Sequence, residues 1–166
     1  MPESQKPRSS QDFYSSSHHL SRHRARELTV QFLYAMETGP SRDVESRLAI
    51  FLSEDGFAAP DVADADTREY LSFLVRGIWA KRVEIENSLR VNVTGWRPER
   101  MVAVDRAILK LAFFEGFLDK IVPVAVAISE AVELAKEFGT DDSPRFVNGV
   151  LGKIARLFEK EEKNEE

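Results

Sequence analysis

The clearest helical pattern is "PVAVAISEAVELAKEFGTDDSPRFVNGVLGKIA" (123–155), which predicts two consecutive helices joined by a short turn. Apolar residues recur every three or four positions, which is the spacing of one helix face. Pro123 opens the first helix, and Gly139 is predicted to end it in the left-handed conformation. Ser143 and Pro144 are typical of an N-cap and a first helical residue. The predicted buried positions are Val124, Ile128, Ala131, Leu134, Ala135 and Phe138, then Val147, Val150, Leu151, Ile154 and Phe158.

The same helical period occurs upstream of this stretch. The predicted helical segments are 21–38, 42–53, 67–91 and 98–119. Gly77 weakens the third of them, because a glycine inside a helix costs about 1 kcal/mol relative to alanine. No convincing pattern of alternating strand residues is present. The sequence therefore predicts an all-α fold in two small lobes, at about 21–93 and 98–158.

Composition excludes several classes of protein. The 166 residues are 43% hydrophobic and 31% charged, which suits a folded chain with a real core. Cysteine is absent, so disulfide scaffolds, thiolate zinc sites and a cysteine nucleophile are excluded. No apolar run reaches the roughly 18 residues that a membrane span needs. The N-terminus lacks an apolar signal region, which argues against secretion.

Charge is spread unevenly along the chain, whose formal net charge is −5. Residues 1–31 are net basic, whereas residues 43–69 and 159–166 are acidic. The first 20 residues are rich in serine and have no apolar period, so they are predicted to form a disordered arm. The last helix is expected to fray into the acidic tail at 159–166. A basic start on an acidic body is a first functional indication, and the alternative, which is usual for charge runs, is that both are solvated surface.

No motif for catalysis is found. The three histidines all lie within residues 18–23, and no nucleophile elbow or zinc-binding helix is present. The adjacent His18 and His19 are interpreted as a solvated pair, not as metal ligands. The sequence therefore predicts no catalytic residue, no metal and no cofactor.

The first helix begins with a basic cluster of Arg22, His23, Arg24 and Arg26. The planar guanidinium of arginine can donate two hydrogen bonds to one phosphate. Contacts of this kind make nucleic-acid binding strongly dependent on salt. The alternative is an ordinary solvent-exposed helix start that happens to be rich in arginine.

Arg145 and Phe146 form a second candidate site, at the margin of the last helix's apolar stripe. An aromatic ring beside an arginine can stack on an unpaired base, which is worth about 1–3 kcal/mol. The alternative, favoured by periodicity alone, is a residue at the rim of the core.

The segments "RARELTVQFLYAMETG" (24–39), "VDRAILKLAFFE" (104–115) and 123–155 closely resemble the NusB transcription antitermination factors. The resemblance runs from about Arg22 to Phe158, and residues 40–95 match poorly. It implies six or seven helices in two three-helix lobes, no enzymatic activity and no cofactor. It also implies a cytoplasmic bacterial protein that regulates transcription. Its implied partners are NusE (a small-subunit ribosomal protein), boxA RNA and the elongating RNA polymerase complex.

The resemblance also implies roles for individual residues. Its RNA-binding positions correspond to Arg22, Arg24 and Arg26 in the first helix and to Arg145 and Phe146 in the last. His23 stands where many members have arginine, which removes a permanent charge and could make RNA binding dependent on pH. The positions that correspond to the NusE interface are Tyr34, Asp105 and Asp142.

Two other interpretations stay open. NusB-like helical domains also occur joined to RNA methyltransferases, but this chain has no room for a separate catalytic domain. A homodimer that pairs through the exposed strip of the first helix is the second alternative.

Overall fold

The computed structural model describes residues 19–39, 42–53, 56 and 64–165, and in this part of the chain all regular structure is helical. The α-helices are α1 (His19–Thr38), α2 (Val44–Phe51), α3 (Ala65–Ala80), α4 (Arg82–Asn92), α5 (Ala103–Ala112), α6 (Val124–Phe138) and α7 (Ser143–Glu165). A 3₁₀ turn at Pro98–Arg100 precedes α5, and a π-helical segment, Phe113–Leu118, continues it. The predicted all-α fold is confirmed. No helix in the described part is long and apolar enough to cross a membrane.

The helices pack around one continuous core. α1 lies mainly against α3 and α5, while α6 packs against both α5 and α7. Fully buried side chains from both halves of the chain belong to the same cluster, among them Leu28, Leu74, Ile108, Leu134 and Leu151. Because α1 and α5 join the halves, the division into lobes at 21–93 and 98–158 stays a prediction.

The helix predicted over 67–91 is two helices, and the break lies at Lys81, not at Gly77. Gly77 is inside α3, where a Cβ atom would overlap the ring of Phe114. The glycine is therefore needed for close packing between α3 and the π-helical segment, and this contact outweighs its low helix propensity.

Several predicted helix ends also differ. α1 begins at His19, so the described end of the predicted arm is helical, and residues 1–18 lie outside the described part. α7 does not fray after Phe158 but continues as a helix to Glu165. Pro98 opens the 3₁₀ turn and not α5, whose N-cap is Val102.

The turn between α6 and α7 differs from its prediction as well. Gly139 has φ −90° and ψ −167°, which is extended backbone and not the left-handed conformation. Ser143 is the first residue of α7, and its hydroxyl oxygen accepts a hydrogen bond from the N–H of Thr140 at 2.9 Å. The serine therefore ties the turn to the helix start without capping the helix.

Candidate nucleic-acid interface

Arg26 lies in the core, contrary to its predicted role as a phosphate ligand. Its side chain is 4% exposed, and Nε donates to both carboxylate oxygens of Glu115, at 2.9 and 3.0 Å. The hydroxyl of Tyr70 donates to the same carboxylate. Glu115 is itself 1% exposed, so the pair is closed to solvent. The guanidinium of Arg26 is therefore engaged in the core, away from the surface that an RNA phosphate could reach.

The charges of this buried cluster are mutually stabilised. Burial opposes the charged form of Arg26, but the surrounding groups, first among them the Glu115 carboxylate, together outweigh it and raise the arginine's pKa. Burial, followed by the charge of Glu115, raises the pKa of Tyr70 and keeps its proton in place as a donor. The arginine and the glutamate are 89 residues apart, and together they fix α1 against the π-helical segment.

Arg22 is also largely buried, with 7% of its surface exposed. Its guanidinium carbon lies 5.6 Å from the centroid of the Tyr70 ring, within the range of a cation–π contact. Nε and Nη2 have no hydrogen-bond partner among the described residues. Burial lowers the pKa of this arginine. Arg22 therefore keeps unused donors, although the body of its side chain is covered.

His23 and Arg24 are the half-exposed members of the basic cluster. The ring Nδ1 of His23 lies 2.9 Å from a carboxylate oxygen of Glu130 on α6, and Nε2 lies 3.7 Å from Glu27. Arg24 has 35% of its side chain exposed and lies 3.5 Å from Glu27. The first turns of α1 therefore present fewer cations to solvent than the sequence suggests, and Arg24 is the most exposed arginine of the cluster.

Arg145 and Phe146 line a groove of about 480 Å³ between the end of α4 and the start of α7, which we call the α7 groove. Phe146 is 40% exposed, which favours the stacking interpretation over the rim-of-core alternative. Lys153 lies in the same groove, with Nζ 3.1 Å from the hydroxyl of Thr94. The α7 groove thus combines an exposed ring with two cations, as single-stranded nucleic-acid sites do.

A second groove, of about 420 Å³, lies beside α1 and is called here the α1 groove. Its wall is almost entirely apolar and consists of Val30, Gln31, Tyr34, Ala35, Phe51, Val104 and Phe138. Tyr34 is 45% exposed. Oε1 of Gln31 and Oδ1 of the neighbouring Asp105 are buried without a hydrogen-bond partner among the described residues. An unpaired buried acceptor costs about 1–3 kcal/mol, so each of these two oxygens is locally destabilising.

The three predicted partner-binding residues do not share one surface. Tyr34 lines the α1 groove, and Asp105 follows Val104 of the same groove but is only 5% exposed. Asp142 is exposed and lines the α7 groove beside Arg145. The helices that carry the two clusters of predicted RNA-binding residues, α1 and α7, both pack against α5.

Sequence reasoning missed the buried partners and the lysine. Arg22 and Arg26 are four residues apart and in line with Leu33, which is the spacing of the buried face of α1. Glu115 is a single carboxylate inside an apolar run, at helical spacing from Ile108. These two signals together could have predicted a buried ion pair. Lys153 carried no signal of its own.

Comparison with known proteins gives a consistent result. The NusB family model matches residues 23–156. The transcription antitermination protein NusB of Symbiobacterium thermophilum is 44% identical over 138 residues, covering 82% of this chain and 90% of that protein. NusB of Saccharopolyspora erythraea is 43% identical over 137 residues, covering 82% and 87%. The structure of T. maritima NusB superposes with a TM-score of 0.67 at 31% identity, covering 81% and 90% of the two chains.

A solution structure of NusB from Aquifex aeolicus, with a TM-score of 0.68 at 23% identity, supports the fold alone. These likenesses define the class as an all-helical protein with the NusB fold. Since the family model covers most of the chain and full-length relatives exceed 40% identity, the chain belongs to the NusB family of transcription antitermination proteins.

Proposed function

We propose that this chain binds a boxA-type RNA together with NusE and joins the elongating RNA polymerase complex, which supports transcription of ribosomal RNA in the bacterial cytoplasm. It acts by binding and performs no catalysis. The single observation that carries the proposal is the α7 groove, where Phe146 stands exposed beside Arg145 and Lys153. The names of the relatives supply the process, transcription antitermination.

RNA binding would use a small number of specific contacts. Single-stranded RNA is recognised through unpaired bases that stack on aromatic rings and through phosphates that meet cations. Phe146 offers the ring, while Arg145 and Lys153 are the adjacent cations. Arg24 adds a cation at the start of α1, and His23 stands beside it. Because the whole chain carries a net charge of −5, attraction of RNA depends on these local cations.

The α1 groove suits the protein partner. Its apolar wall can accept an apolar side chain, and Oε1 of Gln31 in that wall would accept a hydrogen bond if docking of the partner uncovered it. Tyr34 would contribute an amphipathic ring at the rim. If the partner and the RNA bind the same state of the complex, each strengthens the binding of the other by the same factor.

The experiment is a titration of labelled boxA-type RNA, and of a scrambled RNA of equal length, with and without NusE. Binding that is selective for the boxA sequence and tighter with NusE would support the proposal. Light scattering across the same concentrations separates RNA binding from self-association of the chain. Equal affinity for the two RNAs in the presence of active NusE would contradict it.

Two variants that each remove one positive charge test whether RNA binding needs the cation in the α7 groove. Arg145→Gln should weaken RNA binding and flatten its salt dependence, because it removes a cation from the α7 groove. Arg76→Gln removes the same charge from an exposed arginine on α3, which is paired with Glu45. If both variants lose affinity equally, overall charge and not the groove governs binding.

A further inference from the structure

The structure brings a histidine and three carboxylates together where α1 meets α6. His23 and Glu27 are one helical turn apart on α1, and Glu130 and Glu137 are two turns apart on α6. One potential ligand atom each from His23, Glu27 and Glu137 lies within 4.8 Å of the other two. The sequence predicted no metal site, because α1 and α6 are about a hundred residues apart and their contact is not visible in any local motif.

We propose that His23, Glu27 and Glu137 form a binding site for a divalent transition-metal cation of the zinc class, with Glu130 as the residue that orients the histidine. The ligand set consists of one imidazole nitrogen and two carboxylates, and solvent would complete the coordination. Zinc accepts nitrogen and carboxylate ligands at about 2.0–2.2 Å, so three ligand atoms that now lie within 4.8 Å of one another would draw together around a bound ion.

The orientation of the histidine supports this assignment. Nδ1 of His23 lies 2.9 Å from Oε2 of Glu130, which leaves Nε2 on the side of Glu27, at 3.7 Å. A carboxylate held against one ring nitrogen is the usual arrangement behind a metal-binding histidine, since it fixes the ring and the tautomer. Glu130 is itself held by Arg26, whose Nη1 lies 3.5 Å away.

The charges around the cluster also favour a cation. One carboxylate oxygen of Glu27 and one of Glu137 lie within 4.8 Å of each other, so a bound cation would relieve the repulsion between two adjacent acidic groups. The neighbouring positive groups are Arg24, 3.5 Å from Glu27, and Arg26, which is already committed to Glu115. Negative charge is therefore in excess on this part of the surface.

The site has an access path and a rigid base. His23 has 36% of its side chain exposed, and Glu137 is exposed, while Glu27 is only 12% exposed at the bottom. Two of the three ligands are on one helix at i, i+4 spacing, which places them on the same face. A bound ion would therefore link α1 to α6. The imidazole ligand selects against Mg²⁺ and Ca²⁺, which prefer sites made wholly of oxygen.

The test is a calorimetric titration of the full chain with Zn²⁺, with Co²⁺ absorption in the visible range as a second probe. We expect one ion per chain, bound more weakly at pH 6.0 than at pH 7.5 because protons compete for the same ligands. Millimolar Mg²⁺ should not displace it. Absence of both a Zn²⁺ binding isotherm and a Co²⁺ band at pH 7.5 would overturn the proposal.

Matched variants separate this site from adventitious binding. Glu137→Gln should lower the Zn²⁺ affinity about 10-fold or more. Glu133→Gln, an exposed carboxylate one turn earlier on α6 that pairs with Lys136, should leave it unchanged. The double variant His18→Ala, His19→Ala should retain the site, and His23→Ala should lose it. Equal effects of Glu137→Gln and Glu133→Gln, or loss of binding in the His18, His19 variant, would show that the ion binds elsewhere.

Discussion

Arg26→Ala should unfold the protein more readily without removing a contact to RNA. The substitution leaves the side chain of Glu115, which is 1% exposed, without its guanidinium partner, while the hydrogen bond from the Tyr70 hydroxyl remains. Removing one partner of a buried ion pair typically costs about 3–5 kcal/mol. Since small domains are stable by only about 5–15 kcal/mol, this is a large fraction of the total.

Urea denaturation followed by circular dichroism measures this loss directly. Arg24→Ala is the matched control, because it removes the same side chain two positions earlier, where 35% of it is exposed. It should cost less than about 1 kcal/mol of stability, as exposed ion pairs do. In an RNA titration it should instead reduce the salt dependence, by about 0.7 in the log–log slope for one phosphate contact to a single strand.

A further variant tests the cause of the instability. Arg26→Met combined with Glu115→Gln removes both charges and should be more stable than Arg26→Ala, because no unpaired charge remains in the core. The reasoning would be refuted if Arg26→Ala kept the stability of the unmodified chain while its RNA salt slope fell. That result would mean that the guanidinium leaves the core to contact phosphate.

Three further predictions concern stacking, packing and pH. Phe146→Ala should weaken RNA binding by about 1–3 kcal/mol and change stability little. The control Val126→Ala, at a side chain that is also 40% exposed, should leave RNA binding unchanged. A large drop in the thermal stability of Phe146→Ala would instead show that Phe146 is a core residue. Gly77→Ala should lower the free energy of unfolding in urea by about 1–3 kcal/mol, because the added methyl group overlaps the ring of Phe114. The control Gly149→Ala places its methyl group in open space and should be neutral or stabilise by up to about 1 kcal/mol. Similar values for the two variants would contradict the packing of Gly77 against Phe114. Burial, followed by the neighbouring carboxyl group of Glu137, raises the pKa of Glu27 from 4.5 to about 7. Because the folded chain then binds this proton more tightly than the unfolded chain, the free energy of unfolding should fall as the pH rises from 4.5 to about 7. In buffer with a chelator, Glu27→Gln should remove this slope, which is worth no more than about 3 kcal/mol; an unchanged slope would assign it to another group.

The positions of most helices follow from local sequence patterns. Apolar residues at intervals of three and four require one buried face, and proline and glycine restrict where a helix can begin and end, so α6 and α7 follow from local physics. The break between α3 and α4 at Lys81 does not follow from local sequence, because helix propensity alone makes Gly77 the weaker point. The contact of Gly77 with the ring of Phe114 keeps it inside α3.

The candidate site was predicted only in part. Arg145 and Phe146 line an accessible groove, which agrees with their predicted position at the edge of the apolar face of the last helix. Lys153 lies in the same groove because this face of α7 packs near Thr94, just after the end of α4. No short motif in either segment predicts that contact.

The role of each residue in the basic cluster depends on contacts between distant parts of the chain. Helical spacing gives the direction of a side chain but not the identity of the group that it meets. Arg26 meets Glu115 across 89 residues, and His23 meets Glu130 across 107. Desolvation of an ion is tolerated only where an opposite charge is close. The carboxylate of Glu115 therefore makes Arg26 a structural residue, and the carboxylate of Glu130 orients His23 at the proposed metal site.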